Sequence, residues 1–184
     1  MTALAFLVQT VFGFYILAVI LRFLLQWVRA DFYNPLVQFL VRITNPLLVP
    51  LRRIIPGYRG LDLAAVVLAF ALQAVEMLLI TLLLSQPISA GGLLLLTVLE
   101  LLKLLINIYL WGVIIQVALS WFNPDLYHPA ARVLVQLTEP VLRPARRIIP
   151  SISGVDLSPM VVVVALIFIS LLLQDFLGLW TGLR

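Results

Sequence analysis

Cysteine is absent from this chain of 184 residues, histidine occurs once, and only 11% of the residues are charged. Without cysteine there is no disulfide framework, no thiolate nucleophile and no cysteine-based zinc or haem attachment motif. His128 has no second histidine with which to form a metal site, so we interpret it as a helix cap. The sequence also lacks a phosphate-binding glycine loop, a nucleophile elbow and a zinc-binding helix pattern. We therefore expect no enzymatic activity, no cofactor and no metal.

Apolar sequence, in contrast, is abundant. Hydrophobic residues make up 64% of the chain, which is more than a soluble domain of this size can bury. Four long apolar runs predict an all-α membrane protein with four transmembrane helices. We place these helices at about residues 3–28, 61–84, 93–122 and 155–180.

A long motif occurs twice, and the two copies are 94 residues apart. Residues 33–63 and 127–157 are identical at 16 of 31 aligned positions. The repeated positions include Thr44, Pro46, Pro50, Pro56, Gly60 and Asp62, and then Thr138, Pro140, Pro144, Pro150, Gly154 and Asp156. We interpret this as two tandem repeats, residues 1–90 and 91–184, with two transmembrane helices each. Because each repeat has an even number of spans, the repeats are parallel and not inverted.

Each motif begins with a polar stripe at helical spacing. The stripe consists of Asn34, Gln38, Arg42 and Asn45, and then of His128, Arg132, Gln136 and Glu139. Asn34 and His128 each precede a proline, which is typical of an N-cap followed by the first helical residue. We therefore predict two short amphipathic helices that lie along the membrane surface.

The prolines that follow lack the N–H group that a continuous helix needs, so we do not expect a straight helix through this segment. Two geometries remain for this segment: a kinked interfacial stretch, or a re-entrant loop in which residues 43–51 dip into the membrane. We favour the interfacial form, because irregular backbone at membrane depth must be shielded by protein.

Each motif also contains two adjacent arginines, Arg52 and Arg53 and then Arg146 and Arg147. One interpretation is that they set the topology and attract anionic lipid headgroups, at about 1 kcal/mol per basic residue. The alternative is a docking site in which both pairs converge on a phosphate, an acidic partner or a lipid headgroup. Asp62 and Asp156 should cap the helices that follow, and a salt bridge to the preceding arginines would be compatible with that role.

Nine of the 12 basic residues lie between residues 29 and 59 or between 132 and 147, whereas the turn over residues 85–92 has none. The positive-inside rule therefore places loops 29–60 and 123–154 in the cytoplasm and both termini on the opposite side.

Five charged residues fall inside the predicted spans: Arg22, Glu76, Glu100, Lys103 and Asp175. Arg22 can snorkel to the nearby interface, and Asp175 is close enough to a membrane surface to be solvated. Glu100 and Lys103 are three residues apart and can neutralise each other. For Glu76 we expect a pair with Lys103, and a proton or cation site is the alternative.

The repeated T-x-P-x-L-x-P-x-R-R-I-I-P-x-x-x-G-x-D-L pattern, each copy preceded by an apolar span that ends in tryptophan, resembles the YggT family of small bacterial membrane proteins. The resemblance implies a multi-pass protein of the cytoplasmic membrane without established enzymatic activity. It also implies links to osmotic or salt stress and to the organisation of division or nucleoids. In plastids, relatives are linked to maturation of a membrane cytochrome, but this chain lacks the haem-attachment cysteine and paired histidines for that role.

We therefore expect a scaffold or assembly factor whose arginines bind anionic headgroups or a membrane-protein partner. A homo-oligomer is a further expectation, and direct binding of nucleic acid is not expected. The alternative is a small ion or solute channel or transporter that works as an oligomer and uses the charges inside the membrane.

Overall fold

The computed structural model describes residues 3–58, 60–85, 88–121, 128–149 and 156–181. Within these ranges the chain forms six helices, which are α1 (Ala3–Trp27), α2 (Pro35–Ile54), α3 (Leu63–Leu83), α4 (Ala90–Trp121), α5 (Pro129–Ile148) and α6 (Ser158–Thr181). The expectation of an all-α fold is confirmed for this part of the chain. Pro150 and Gly154 of the second motif lie outside the described residues.

Four of these helices are long and apolar enough to cross a membrane. They are Ala3–Trp27, Leu63–Leu83, Ala90–Ser120 and Ser158–Gly178. Their bounds agree with the predicted spans to within about three residues at each end. At about 1.5 Å per residue each exceeds the ~30 Å hydrocarbon core. The chain is therefore a multi-pass membrane protein, with α2 and α5 as the amphipathic helices of the two repeats.

The Pro-rich segments, for which we expected loops, are helical. Helix α2 runs through Pro46 and Pro50 to Ile54, which leaves no re-entrant loop over residues 43–51. Helix α5 likewise contains Pro140 and Pro144. In α2 the two prolines and Arg42 are all exposed. The carbonyls that lose their helical donors, those of residues 42 and 46, therefore lie on the face that polar surroundings can reach.

Both amphipathic helices begin with the predicted caps. The Leu36 N–H donates to Asn34 Oδ1 at 3.0 Å, and the Ala130 N–H donates to His128 Nδ1 at 3.3 Å. The polar stripe is not wholly solvated, however, because Asn34 is buried. Its side-chain amide donates to the Pro129 carbonyl at 2.8 Å.

The chain packs as two compact units. The first comprises Met1–Trp27 and Gln38–Leu102, and the second comprises Val28–Val37 and Lys103–Arg184. In the first unit the core is a buried cluster formed by Val19, Leu48, Ala64, Ala65, Leu68 and Ala69. In the second unit it is a smaller cluster of Val113, Leu142 and Val162.

The two cores are built from equivalent positions. An offset of 94 residues carries Val19, Leu48 and Leu68 onto Val113, Leu142 and Val162. Each core therefore joins one residue from the first transmembrane helix of a repeat, one from its amphipathic helix and one from its second transmembrane helix. The structure thus repeats the duplication of the sequence. The boundary that we place between residues 90 and 91 remains a prediction.

Candidate functional site

The two arginines at the end of α2 differ in whether they form an ion pair. Arg52 forms a salt bridge with Asp62, whose side chain is only 4% exposed. Its Nε donates to Asp62 Oδ2 at 3.2 Å, and its Nη2 donates to the same oxygen and to Gln26 Oε1 at 3.4 Å. Arg53 is exposed. It makes no ion pair with any described residue.

The second repeat divides its arginines in the same way. Arg146 Nε donates to Asp156 Oδ2 at 2.9 Å, and its Nη1 donates to Glu139 Oε2 at 3.2 Å. Arg147 is exposed and, like Arg53, forms no ion pair within the described part of the chain. In each repeat the first arginine therefore holds the helix end in place, whereas the second arginine presents its charge outward.

The aspartates also act as the predicted caps. Asp62 Oδ1 accepts a hydrogen bond from the Ala65 N–H at 3.3 Å at the start of α3. Asp156 Oδ1 accepts one from the Ser158 N–H at 2.9 Å at the start of α6. Each aspartate thus joins the end of the amphipathic helix to the beginning of a transmembrane helix.

Asp156 lies outside the spanning segment, where its surroundings favour the carboxylate. Burial by itself raises the pKa of Asp156, but hydrogen bonds from Arg146 and Ser158 oppose it. Their combined effect is that the pKa of Asp156 lies below its ordinary value.

A tight turn separates Arg52 from Asp62. The backbones of Tyr58 and Leu61 bond to each other in both directions, at 3.1 and 2.9 Å. Gly60 lies within this turn at φ +85°, a conformation that glycine adopts without the clash a Cβ atom would cause. The repeated glycine is therefore explained in the first copy by backbone geometry.

Arg22 is bonded to the amphipathic helix α2, and its expected snorkelling remains a prediction. Its side chain is 6% exposed. Its Nη1 donates to Thr44 Oγ1 at 2.6 Å, to Asn45 Oδ1 at 2.8 Å and to the Val41 carbonyl at 3.2 Å. Three hydrogen bonds to groups of α2 thus compensate the burial of this charge.

At the equivalent place in the second repeat, Gln116 is bonded to Thr138. This pairing was missed from the sequence. The available signal was that two polar residues, one in each repeat, precede a repeated threonine by 22 positions. The motif threonine is thus the acceptor or donor for a polar residue on the preceding transmembrane helix.

Glu76 is buried inside α3 at 5% exposure. Its Oε2 accepts a hydrogen bond from the Gln73 side-chain amide at 3.2 Å. Glu100 and Lys103 both have interactions of their own, and the expected Glu76–Lys103 pair remains a prediction. Asp175 is exposed, and its solvation at the membrane surface remains a prediction. The described residues contain no cluster of three or more His, Asp or Glu side chains that could hold a metal ion.

Comparison with known proteins finds a family whose model matches the chain twice. The CCB3/YggT family model matches residues 1–83 and again residues 95–177. The two matched segments are displaced by the same 94 residues as the motif.

Full-length relatives support the same assignment. An uncharacterized protein of Pseudomonas aeruginosa is 45% identical, over 99% of this chain and 93% of its own length. One of Vibrio alginolyticus is 42% identical over 97% of both chains, and the uncharacterized protein YggT of Escherichia coli K12 is 36% identical over 100% of both. No solved structure matches the chain significantly. The family match over both repeats and these relatives establish that the chain belongs to the CCB3/YggT family.

Proposed function

We propose that the protein is a non-enzymatic scaffold or assembly factor of the bacterial cytoplasmic membrane, and that Arg53 and Arg147 attract anionic lipid headgroups at the cytoplasmic surface. The observation that carries the proposal is the division of each arginine pair. Because Arg52 and Arg146 are neutralised by aspartates, they fix the position of the exposed arginine beside them. An exposed arginine at the end of an amphipathic helix is suited to phosphate oxygens.

The proposed orientation follows from charge. Basic residues cluster on α2, on α5 and next to them, whereas the turn over residues 85–92 has none. The positive-inside rule then puts both amphipathic helices on the cytoplasmic face and both termini opposite. Attraction of about 1 kcal/mol per exposed basic residue adds to the apolar face in holding α2 and α5 at that surface. A membrane-protein partner or a second copy of the chain could be recruited there.

The direct test compares two double variants in nanodiscs that contain equal amounts of phosphatidylglycerol and phosphatidylethanolamine. We expect the wild type to enrich spin-labelled phosphatidylglycerol at its surface, and Arg53→Gln/Arg147→Gln to reduce that enrichment several-fold. Gln38→Ala/Gln136→Ala, which alters uncharged polar residues on the same helices, serves as the control. If Arg53→Gln/Arg147→Gln leaves the enrichment unchanged, the proposed headgroup contact is wrong.

A cellular test addresses the physiological part of the proposal. In a strain that lacks its own family member and is sensitive to salt or osmotic shock, the wild type should restore growth, whereas Arg53→Gln/Arg147→Gln should not. Both proteins must reach the membrane in equal amounts, which immunoblotting of membrane fractions measures. Full rescue by the double variant would contradict a role for these arginines in stress tolerance.

One observation favours a second candidate function, that of a small ion or solute pathway. A carboxyl group buried within a membrane-spanning helix, as at Glu76, is costly and is often retained for function. If such a pathway exists, Glu76→Gln should change ion flux into proteoliposomes across an osmotic step, with Asp175→Asn as a control at an exposed site. Flux no higher than that of empty liposomes, in a preparation of verified orientation, would eliminate this alternative.

A further inference from the structure

The two repeats differ in how closely their transmembrane helices pack. In the first unit, α1 and α3 run against each other, with Ala64, Ala65 and Ala69 buried between them at 0–4% exposure. Small side chains allow two helix backbones to approach closely inside a membrane. The two transmembrane helices of the first repeat therefore pack directly against each other.

The second repeat replaces these alanines. Their counterparts at an offset of 94 are Ser158, Pro159 and Val163. Among the described residues, the backbones of α4 and α6 do not run against each other as those of α1 and α3 do. A cleft of about 640 Å³ remains in the second unit. This volume is within the range of about 300–1,000 Å³ that is typical of small-molecule sites.

The cleft is apolar along most of its wall and charged at one end. Its wall residues come from α4 and α6 and include Ile114, Val117, Ala118, Met160, Val163 and Val164. The charged end is formed by Arg146 and Asp156. In the proposed orientation this end faces the cytoplasmic headgroup layer, and the apolar wall extends toward the hydrocarbon core.

We propose that this cleft binds one zwitterionic phospholipid with a phosphoethanolamine headgroup. Arg146 uses Nε and Nη1 for its carboxylate partners, which leaves Nη2 for a phosphate oxygen. Asp156 is 42% exposed and can accept a hydrogen bond from the lipid ammonium. A purely anionic headgroup would satisfy Arg146 but would place a second negative charge beside Asp156. An acyl chain fits the apolar wall.

A phospholipid accounts for this lining better than a helix from a second copy of the chain does. One lipid molecule carries a phosphate for Arg146, an ammonium for Asp156 and an acyl chain for the apolar wall. The proposal rests on the membrane orientation given under the proposed function. It does not depend on headgroup contacts at Arg53 and Arg147.

The test uses one substitution at two positions of α6. Val164 lines the cleft and is 59% exposed, whereas Val161 is 47% exposed and is not a wall residue. Val164→Phe should place an aromatic ring in the path of an acyl chain along the cleft, and Val161→Phe adds the same bulk elsewhere. Each full-length protein is equilibrated with equal amounts of phosphatidylethanolamine and phosphatidylglycerol in detergent, and bound lipid is counted by native mass spectrometry.

We expect the wild type and Val161→Phe to retain one phosphatidylethanolamine, and Val164→Phe to retain at least tenfold less at an equal melting temperature. Arg53→Gln/Arg147→Gln should still retain this lipid, which separates the cleft from the surface sites. Three results would overturn the proposal: no retained lipid in the wild type, equal retention by both phenylalanine variants, or preferential retention of phosphatidylglycerol. A lipid-free dimer that Val164→Phe dissociates would also overturn it, in favour of a second copy.

Discussion

The guanidinium of Arg22 and the hydroxyl of Thr44 are 2.6 Å apart, in a place where neither can reach solvent. In the second repeat the direction is reversed, since the Thr138 hydroxyl donates to Gln116 Oε1. Thr44 and Thr138 are each fully buried. The motif threonine therefore makes an equivalent contact in both repeats, with a charged partner in the first and a neutral amide in the second.

This relationship predicts different outcomes for two substitutions of Arg22. Arg22→Leu should lower the free energy of unfolding by about 1–2 kcal/mol, because it removes a buried donor and leaves the Thr44 and Asn45 oxygens without it. Arg22→Gln introduces the residue type found at the equivalent position and should lower it less. Thermal unfolding of the purified protein in detergent measures the order. Equal losses for the two variants would contradict a role for hydrogen bonding at this position.

The helices were largely predictable because long apolar runs and capping residues are local signals. Hydrophobicity located the four spans, and Asn34, His128 and Asp62 marked helix starts through their own short side chains. The passage of α2 through Pro46 and Pro50 was not predictable in the same way. It depends on tertiary packing, since burying Thr44 and Leu48 against the neighbouring helices offsets the loss of two backbone hydrogen bonds.

The candidate site was predictable only in part. The duplicated motif identified the arginines, and the aspartates ten residues later suggested salt bridges. Nothing in the sequence distinguishes Arg52 from Arg53, because their division depends on which side chain the turn brings to Asp62. The cleft in the second repeat was equally hidden. The cleft exists because α4 and α6 lie apart. The sequence shows that Ser158, Pro159 and Val163 replace alanines, but it does not show which helix these residues face.

The two capping aspartates should differ in their contribution to stability. Asp62 is 4% exposed and Asp156 is 42% exposed, so water can replace lost hydrogen bonds more easily at Asp156. A lost N-cap costs about 0.5–2 kcal/mol. We expect Asp62→Ala to fall in the upper half of that range and Asp156→Ala in the lower half, as measured by thermal unfolding. A larger loss for Asp156→Ala would show that exposure does not decide the difference.

Acid should weaken the bridge between Arg146 and Asp156. The folded-state pKa of Asp156 lies below the ordinary value of 3.8. Its stabilising contribution is therefore present above about pH 4 and is lost as the pH falls through the folded pKa. The difference in Tm between the wild type and Asp156→Asn should thus be positive at pH 7 and should shrink at pH 3. A difference that stays constant between these pH values would contradict the assignment, since Glu139 and the other carboxylates remain in both proteins.

Two glycines inside transmembrane helices should respond in opposite ways to a methyl group. At Gly13 in α1 a Cβ atom meets nothing within 4 Å, whereas at Gly112 in α4 it lies 3.1 Å from the Thr138 Cγ2 atom. Thr138 cannot move away easily, because its hydroxyl is bonded to Gln116 and lies 2.9 Å from the Leu134 carbonyl. Gly13→Ala should therefore stabilise the protein by about 0.5–1 kcal/mol through the higher helix propensity of alanine.

Gly112→Ala gains the same propensity but must push α4 away from α5, so we expect a net loss of about 1 kcal/mol. The measurement is the order of the melting temperatures, with Gly13→Ala above the wild type and Gly112→Ala below it. Gly112→Ala/Thr138→Ser removes the opposing methyl group but keeps the hydroxyl, and it should recover part of the loss relative to Thr138→Ser alone. If the second substitution recovers nothing, close packing of α4 on Thr138 is not the reason for glycine at this position.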